Sequence, residues 1–261
     1  MYWLFCCRLH VLLGPGAGLP QSNQEDSLAS MSGPPPPSLT RCLHPDCRED
    51  CSDCEPEEIV TALKASITGE PGESWGVQFN GVTALAGLLD TPAAAANRAV
   101  VTSMGGIETL LEATDEALAV QPKTDLATPL GSEEEFIPQL LARLVTVIGS
   151  LSVNSTRNQK FIADNGGIAK ITRAMSVGHH RYNDAKLVTQ GCWALVQLGT
   201  NSLDIQKVIA GARGVDFAER AIKLRKGQTS HCQKLVDQCR YATKVRRGKI
   251  SLLHSSSKNE V

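Results

Sequence analysis

Four cysteines crowd into thirteen residues, Cys42, Cys47, Cys51 and Cys54 of RCLHPDCREDCSDC, with His44 among them. Thiolate and imidazole are natural zinc ligands, and four within reach can close a tetrahedron. The gaps of four, three and two residues leave only Cys51 and Cys54 as a C-x-x-C pair, so two zinc knuckles do not fit. The surrounding acids disfavour thiolate formation in the absence of a metal. A metal site, a disulfide pair and a plain cysteine-bearing linker all remain open for this segment.

Other residues invite chemistry and are better read as structure. The pair Gly166-Gly167 in NQKFIADNGGI has the look of a phosphate loop. Such a loop needs a strand before it and usually a Lys-Ser/Thr partner after it, and neither is present. Cys192 stands beside Trp193 without a His and Asp/Asn constellation, so it reads as a small apolar core residue. Adjacent His179 and His180 point in different directions, which is poor metal geometry, and they read as a solvated loop between repeats. No G-x-S-x-G, H-E-x-x-H, Walker or Rossmann pattern stands in a suitable context, so neither an enzyme nor a cofactor is expected. Asn154-Ser155-Thr156 fits a glycosylation acceptor but falls inside a stretch that reads as packed, which argues against its use.

The elements that carry these residues are helical. The chain has 261 residues, 42% hydrophobic, with only 4% aromatic, so Leu, Ala, Val and Ile must fill the core. That composition favours helix on helix over a β-sandwich. Net charge is −1 but unevenly spread, with 12 basic against 4 acidic residues from Gly211 to Val261. No apolar run reaches the ~18 residues of a membrane span. The opening MYWLFCCRLHVLLGPGAGLP has an apolar stretch followed by small residues, as a secretory signal does. It lacks a basic start and is interrupted by Arg8 and His10, and a translation start at Met31 is the alternative.

Residues 1–55, with their SGPPPPSLT run, read as a disordered segment. Helical patterning begins at Pro56, with Ile59, Leu63 and Ile67 on one face. The chain then repeats. NRAVVTSMGGIETLLEAT (Asn97–Thr114), NQKFIADNGGIAKITRAM (Asn158–Met175) and IQKVIAGARGVDFAERAI (Ile205–Ile222) superpose their apolar positions. Before them run the related helices Gly81–Leu88, Leu144–Leu151 and Gly191–Leu198. Copies two and three lie 47 residues apart and copies one and two 61 apart, the excess lying in a loop insertion at about 115–135. A unit of this length cannot cover its own apolar faces, so units must stack. Within each unit, glycine suits the sharp corner between the last two helices. Residues 56–225 form the repeat domain, and 226–261 read as a capping helix, with Leu235, Cys239 and Ala242 inward, followed by a basic tail.

GCWALVQLGTNSLDIQKVIAGARGV and NQKFIADNGGIAKITRAMSVGHH resemble armadillo repeats, over about Trp75 to Lys223. The resemblance implies an all-α, right-handed superhelical α-solenoid of about three repeats, and a groove that binds a partner protein or an extended peptide without catalysis. Import receptors of this family carry Trp and, four residues on, Asn on each groove helix. Here the match is Trp193 and Gln197, with Thr146 and Ser150 in the second copy and Thr83 and Gly87 in the first. One altered rung argues against an import receptor and for a small adaptor. The expected contact residues are Trp193, Gln197, Asn201, Ser150 and Asn154. Lys244, Arg246, Arg247 and Lys249 form a basic knot. It suits an acidic partner or nuclear targeting, but it has no aromatic platform, which argues against nucleic acid. The expected place is the cytoplasm, or the nucleus if the knot serves as a signal. The sequence does not set the oligomeric state.

Overall fold

A computed structural model describes residues 55–67, 75–120, 136–180, 182, 184–224 and 230–246. It contains eleven helices and no strand among these residues: α1 Pro56–Ile67, α2 Trp75–Leu88, α3 Ala94–Ser103, α4 Gly106–Ala119, α5 Phe136–Ser152, α6 Thr156–Asp164, α7 Gly167–His180, α8 Ala185–Gly199, α9 Leu203–Gly211, α10 Gly214–Leu224 and α11 Ser230–Arg246. The all-helical class follows from the 3.6-residue spacing of Leu, Ile, Val and Ala.

The helices recur in threes. α2, α5, α8 and α11 pack one against the next, and α1, α4, α7 and α10 follow one another beside them. Each member of one series rests on its partner in the other: α1 on α2, α4 on α5, α7 on α8 and α10 on α11. The short helices α3, α6 and α9 bridge from one series to the other. The positions that superpose in sequence are interior ones. Val101 and Ile162, Ile107 and Ile168, and Leu110 and Ile171 are all buried, and so are Ile209 and Ala218 in the third copy. They belong to one continuous core that runs from Ile59 to Cys239.

Local chemistry sets the ends of the helices. Asp184 caps α8, its Oδ1 accepting from the N–H groups of Lys186 (2.7 Å) and Leu187 (3.1 Å). Its cap starts the helix at Ala185, six residues before the Gly191 at which the repeat comparison begins it. Ser155 and Ser202 cap α6 and α9 in the same way, through Asn158 N and Ile205 N. A lost cap of this kind costs about 1 kcal/mol. Ala93, at the matching place before α3, has no side-chain oxygen to offer, which fits the weaker sequence match of the first copy.

A second recurring device is a side-chain amide that seals the open carbonyl end of each long helix. Asn97 Nδ2 donates to Leu88 O (2.9 Å), Asn158 Nδ2 to Leu151 O (2.8 Å), and Gln206 Nε2 to Gly199 O (2.7 Å). The last four carbonyls of a helix have no partner within it, and buried ones need one.

The glycine pairs are corners between helices. Gly105 (φ 74°) and Gly166 (φ 75°) are left-handed, and Arg213 (φ 65°) takes the same conformation in the third copy. The second residue of each pair sits hard against the helix before it. A Cβ on Gly106 would lie 2.5 Å from Val101 Cγ1, and one on Gly167 would lie 2.4 Å from Ile162 Cγ2.

Three sequence expectations need correction. The insertion does not begin at 115, because α4 continues to Ala119 with Ala117 and Leu118 buried. His179 and His180 are not a loop: they end α7, with His179 half-buried. Cys192 is buried as expected but is not a free thiol, being bonded to Cys232 of α11. The 1–55 segment, apart from Glu55, lies outside the described residues, as do the rest of the insertion and the tail beyond Arg246.

α11 closes one end. Cys232, Leu235, Val236, Cys239 and Ala242 are buried against α8, α9 and α10, while its other side carries Lys234, Asp237, Arg240 and Lys244 in the open. Arg240 pairs with Glu219 of α10 at 2.8 Å.

Candidate functional site

The α2, α5, α8 series is unusual in its charge. WGVQFNGVTALAGL, FIPQLLARLVTVIGSLS and AKLVTQGCWALVQLG contain no acidic residue, and one cation each in the last two, Arg143 and Lys186. The neighbouring α4 alone carries Glu108, Glu112, Asp115 and Glu116. A charge-poor face cannot repel a partner backbone strongly, and it costs little to desolvate.

On α8, Lys186 is exposed, and Thr189, Gln190, Trp193 and Gln197 are half-buried at helical spacing, while Leu187, Val188, Gly191, Cys192, Ala194 and Leu195 point inward. On α5 the same stripe reads Gln139, Arg143, Thr146 and Ser150; on α2 it reads Asn80, Thr83 and Gly87. The three stripes carry mainly amides, hydroxyls and one indole. Gln139, Arg143, Thr189 and Gln190 were not singled out in the sequence, although the i, i+4 spacing from Ser150 and Gln197 was the signal that finds them.

Trp193 is partly supported from below. A Cβ on Gly149 of α5 would lie 2.6 Å from Trp193 Cζ3 and 2.9 Å from Ala194 Cα, so the indole rests where Gly149 leaves room. The adjacent α5–α2 contact is aromatic. Phe136 and Phe79 pack with their rings inclined at 44° and centroids 5.0 Å apart, and the Arg143 guanidinium lies 6.0 Å from the centre of the Phe79 ring. A cation over an aromatic face is attracted by the ring quadrupole. The main-chain O of Gln197 accepts from Gln159 Nε2 at 3.0 Å, which fixes the end of α8 and leaves the Gln197 carboxamide on the face.

Asn154 and Asn201, the other expected contact residues, occupy equivalent turns. Asn154 (φ 54°) joins α5 to α6, and Asn201 (φ 62°) joins α8 to α9. Both are exposed, and each precedes a capping serine. Asparagine tolerates the left-handed region better than other side chains, so the backbone alone explains their identity.

The remaining sequence candidates are scattered. Lys244 is exposed on the last turn of α11, and Arg246 is the final residue of that helix. Arg247, Lys249 and the cysteines Cys42, Cys47, Cys51 and Cys54 lie outside the described residues. At the end of α7, His179 Nδ1 and His180 Nδ1 are 3.4 Å apart, and Arg220 Nη1 lies 3.5 Å from His180 Nε2. A guanidinium so close disfavours a bound cation there. Burial pushes the Cys239 thiol up to about 11, which makes it a poor nucleophile at neutral pH.

No protein-family model, no curated protein and no solved structure matches this chain.

Proposed function

We propose that the chain is a short armadillo-type array acting as a non-enzymatic scaffold, and that it binds an extended segment of a partner protein across α2, α5 and α8. One observation carries this reading: three helices packed in series leave uncharged residues at least partly exposed at matching positions, Thr83 and Gly87, Thr146 and Ser150, Trp193 and Gln197. Amides and hydroxyls suit the N–H and C=O groups of an extended backbone, which otherwise go unpaired on burial. Trp193 supplies the anchor, because an indole brings a large apolar area with a donor at its edge. The Gln197 carboxamide, one turn on, offers a donor and an acceptor to the same stretch of backbone. Arg143 and Lys186, with no acid on these helices, favour a neutral to acidic segment over a basic one.

The test is selection of short unstructured peptides displayed against the purified full chain. Peptides recovered from the selection should lose most of their affinity for a Trp193→Ala/Gln197→Ala double variant whose circular dichroism and melting are unchanged. They should bind a Lys160→Ala variant normally, since Lys160 lies on α6 paired with Asp164. Equal binding by the folded double variant removes the face from consideration.

A further inference from the structure

Two features that the binding face does not use point to one chemical environment. The first is Asn154-Ser155-Thr156. By sequence it falls inside a packed repeat, but the structure lifts it out of the packing. Asn154 is exposed in the turn between α5 and α6, with a left-handed φ of 54°. Thr156, two residues on, is exposed as the first residue of α6. Ser155 between them turns inward, its Oγ accepting from Asn158 N at 3.3 Å. The Asn154 carboxamide makes no hydrogen bond with the described residues, so its Nδ2 is open to reaction.

The second feature is the Cys192–Cys232 disulfide. It joins α8 to α11 across a sequence separation of 40, with the Cα atoms 4.9 Å apart. Bonds of this kind persist in oxidising compartments and are rare in the cytosol. An exposed Asn-x-Thr is modified in those same compartments. The acceptor turn and the disulfide lie on different elements, so each is independent support for the other.

We propose that Asn154 is an N-glycosylation acceptor and that this domain folds in an oxidising, glycosylating compartment, not in the cytoplasm that the repeat resemblance suggests. The donor is a lipid-diphosphate-linked oligosaccharide, used by a membrane-bound transferase. Asn154 Nδ2 attacks the anomeric carbon; the N–C bond forms and the C–O bond to the diphosphate breaks. The diphosphate leaves with the electron pair, and one amide proton passes to a base of the transferase. No oxidant or reductant enters the step.

The molecule holds its own control. Asn201-Ser202-Leu203 is the same turn, with the same left-handed asparagine and capping serine, but with leucine where the acceptor motif needs a hydroxyl.

The test is expression of the full chain in a eukaryotic cell, with electrophoretic mobility read before and after an endoglycosidase. One sensitive step is expected. It should vanish in Thr156→Ala, which leaves Asn154 and its turn in place, and persist in Asn201→Asp. Leu203→Thr should add a second step. Alkylation of thiols in denaturant at the moment of lysis should spare Cys192 and Cys232 unless a reductant is added first. The absence of a sensitive step in the full chain, or its survival in Thr156→Ala, overturns the acceptor. A single step in Leu203→Thr shows that the exposed turn is not what selects the site. Labelling of both cysteines without reductant overturns the oxidising compartment.

Discussion

The corner between α6 and α7 and the corner between α9 and α10 do the same job with different residues. In the first, Gly166 and Gly167 turn the chain; in the second, Arg213 and Gly214 do so. The first position is a conformational demand alone: φ is positive in both, and a Cβ on Gly166 would meet nothing within 4 Å. Arginine can therefore stand there at the cost of some strain. The second position is a steric demand. A Cβ on Gly167 would come within 2.4 Å of Ile162 Cγ2 and 2.8 Å of Ile162 O, whereas one on Gly214 would lie 3.0 Å from Ile209 Cγ2 and 3.3 Å from Ile209 O. A Gly-Gly pair in this chain thus encodes two separate requirements, and only the second is strict.

The comparison breaks most sharply at Gly167. Gly167→Ala forces the new methyl into backbone as well as side chain, and should cost about 3 kcal/mol in denaturant unfolding. Gly106→Ala, with contacts of 2.5 and 2.7 Å to Val101, should be of the same size. A loss no larger than that at Gly214 would show that the two corners are equally tight. Next comes the amide at the start of α6, which seals the end of α5. Asn158 Nδ2 bonds both Leu151 O and Thr102 Oγ1, so Asn158→Ala strands two acceptors and should cost about 2 kcal/mol. Gly214→Ala needs only a small shift of Ile209 and Leu195, and about 1 kcal/mol is expected by the same titration.

The first position of the corner should show opposite signs in the two copies. Gly166→Ala should lose about 1 kcal/mol through its left-handed backbone, and Arg213→Gly should gain about 0.5 kcal/mol after the entropy of glycine is subtracted. Two losses of similar size would mean that Arg213 contributes through its 3.3 Å contact with Asp216 and not through its backbone. A pH-dependent effect belongs to the α11 end. The Cys239 thiol ionises at about 11 in the folded chain against 9.0 ordinarily, because burial disfavours the thiolate. Between those two values the unfolded chain has lost the proton and the folded chain keeps it, so stability should fall as pH rises through that window. Cys239→Ala should flatten that part of a pH–stability profile.

The sequence by itself determined what is local or periodic. The α1 start at Pro56, the buried register of Val101, Ile162 and Ile209, the corner role of the glycines and the inward side of α11 were legible, because each follows from spacing along one helix or from a residue's own backbone preference. Trp193 and Gln197 were singled out through the armadillo resemblance, while Gln139, Arg143, Thr189 and Gln190 of the same stripes were missed although the helical period reaches them. Tertiary structure decided what depends on residues far apart in the chain. Cys192 reads as a lone core residue until α11 folds back and brings Cys232 to it, and Trp193 reads as a projecting rung until Gly149 of α5 receives it. Asn154 reads as packed until the turn exposes it. Periodicity says which side of a helix is buried, but not which atoms of another helix bury it. That choice is made by packing, where a single missing methylene or a chance meeting of two sulfurs is enough to change a residue's chemistry.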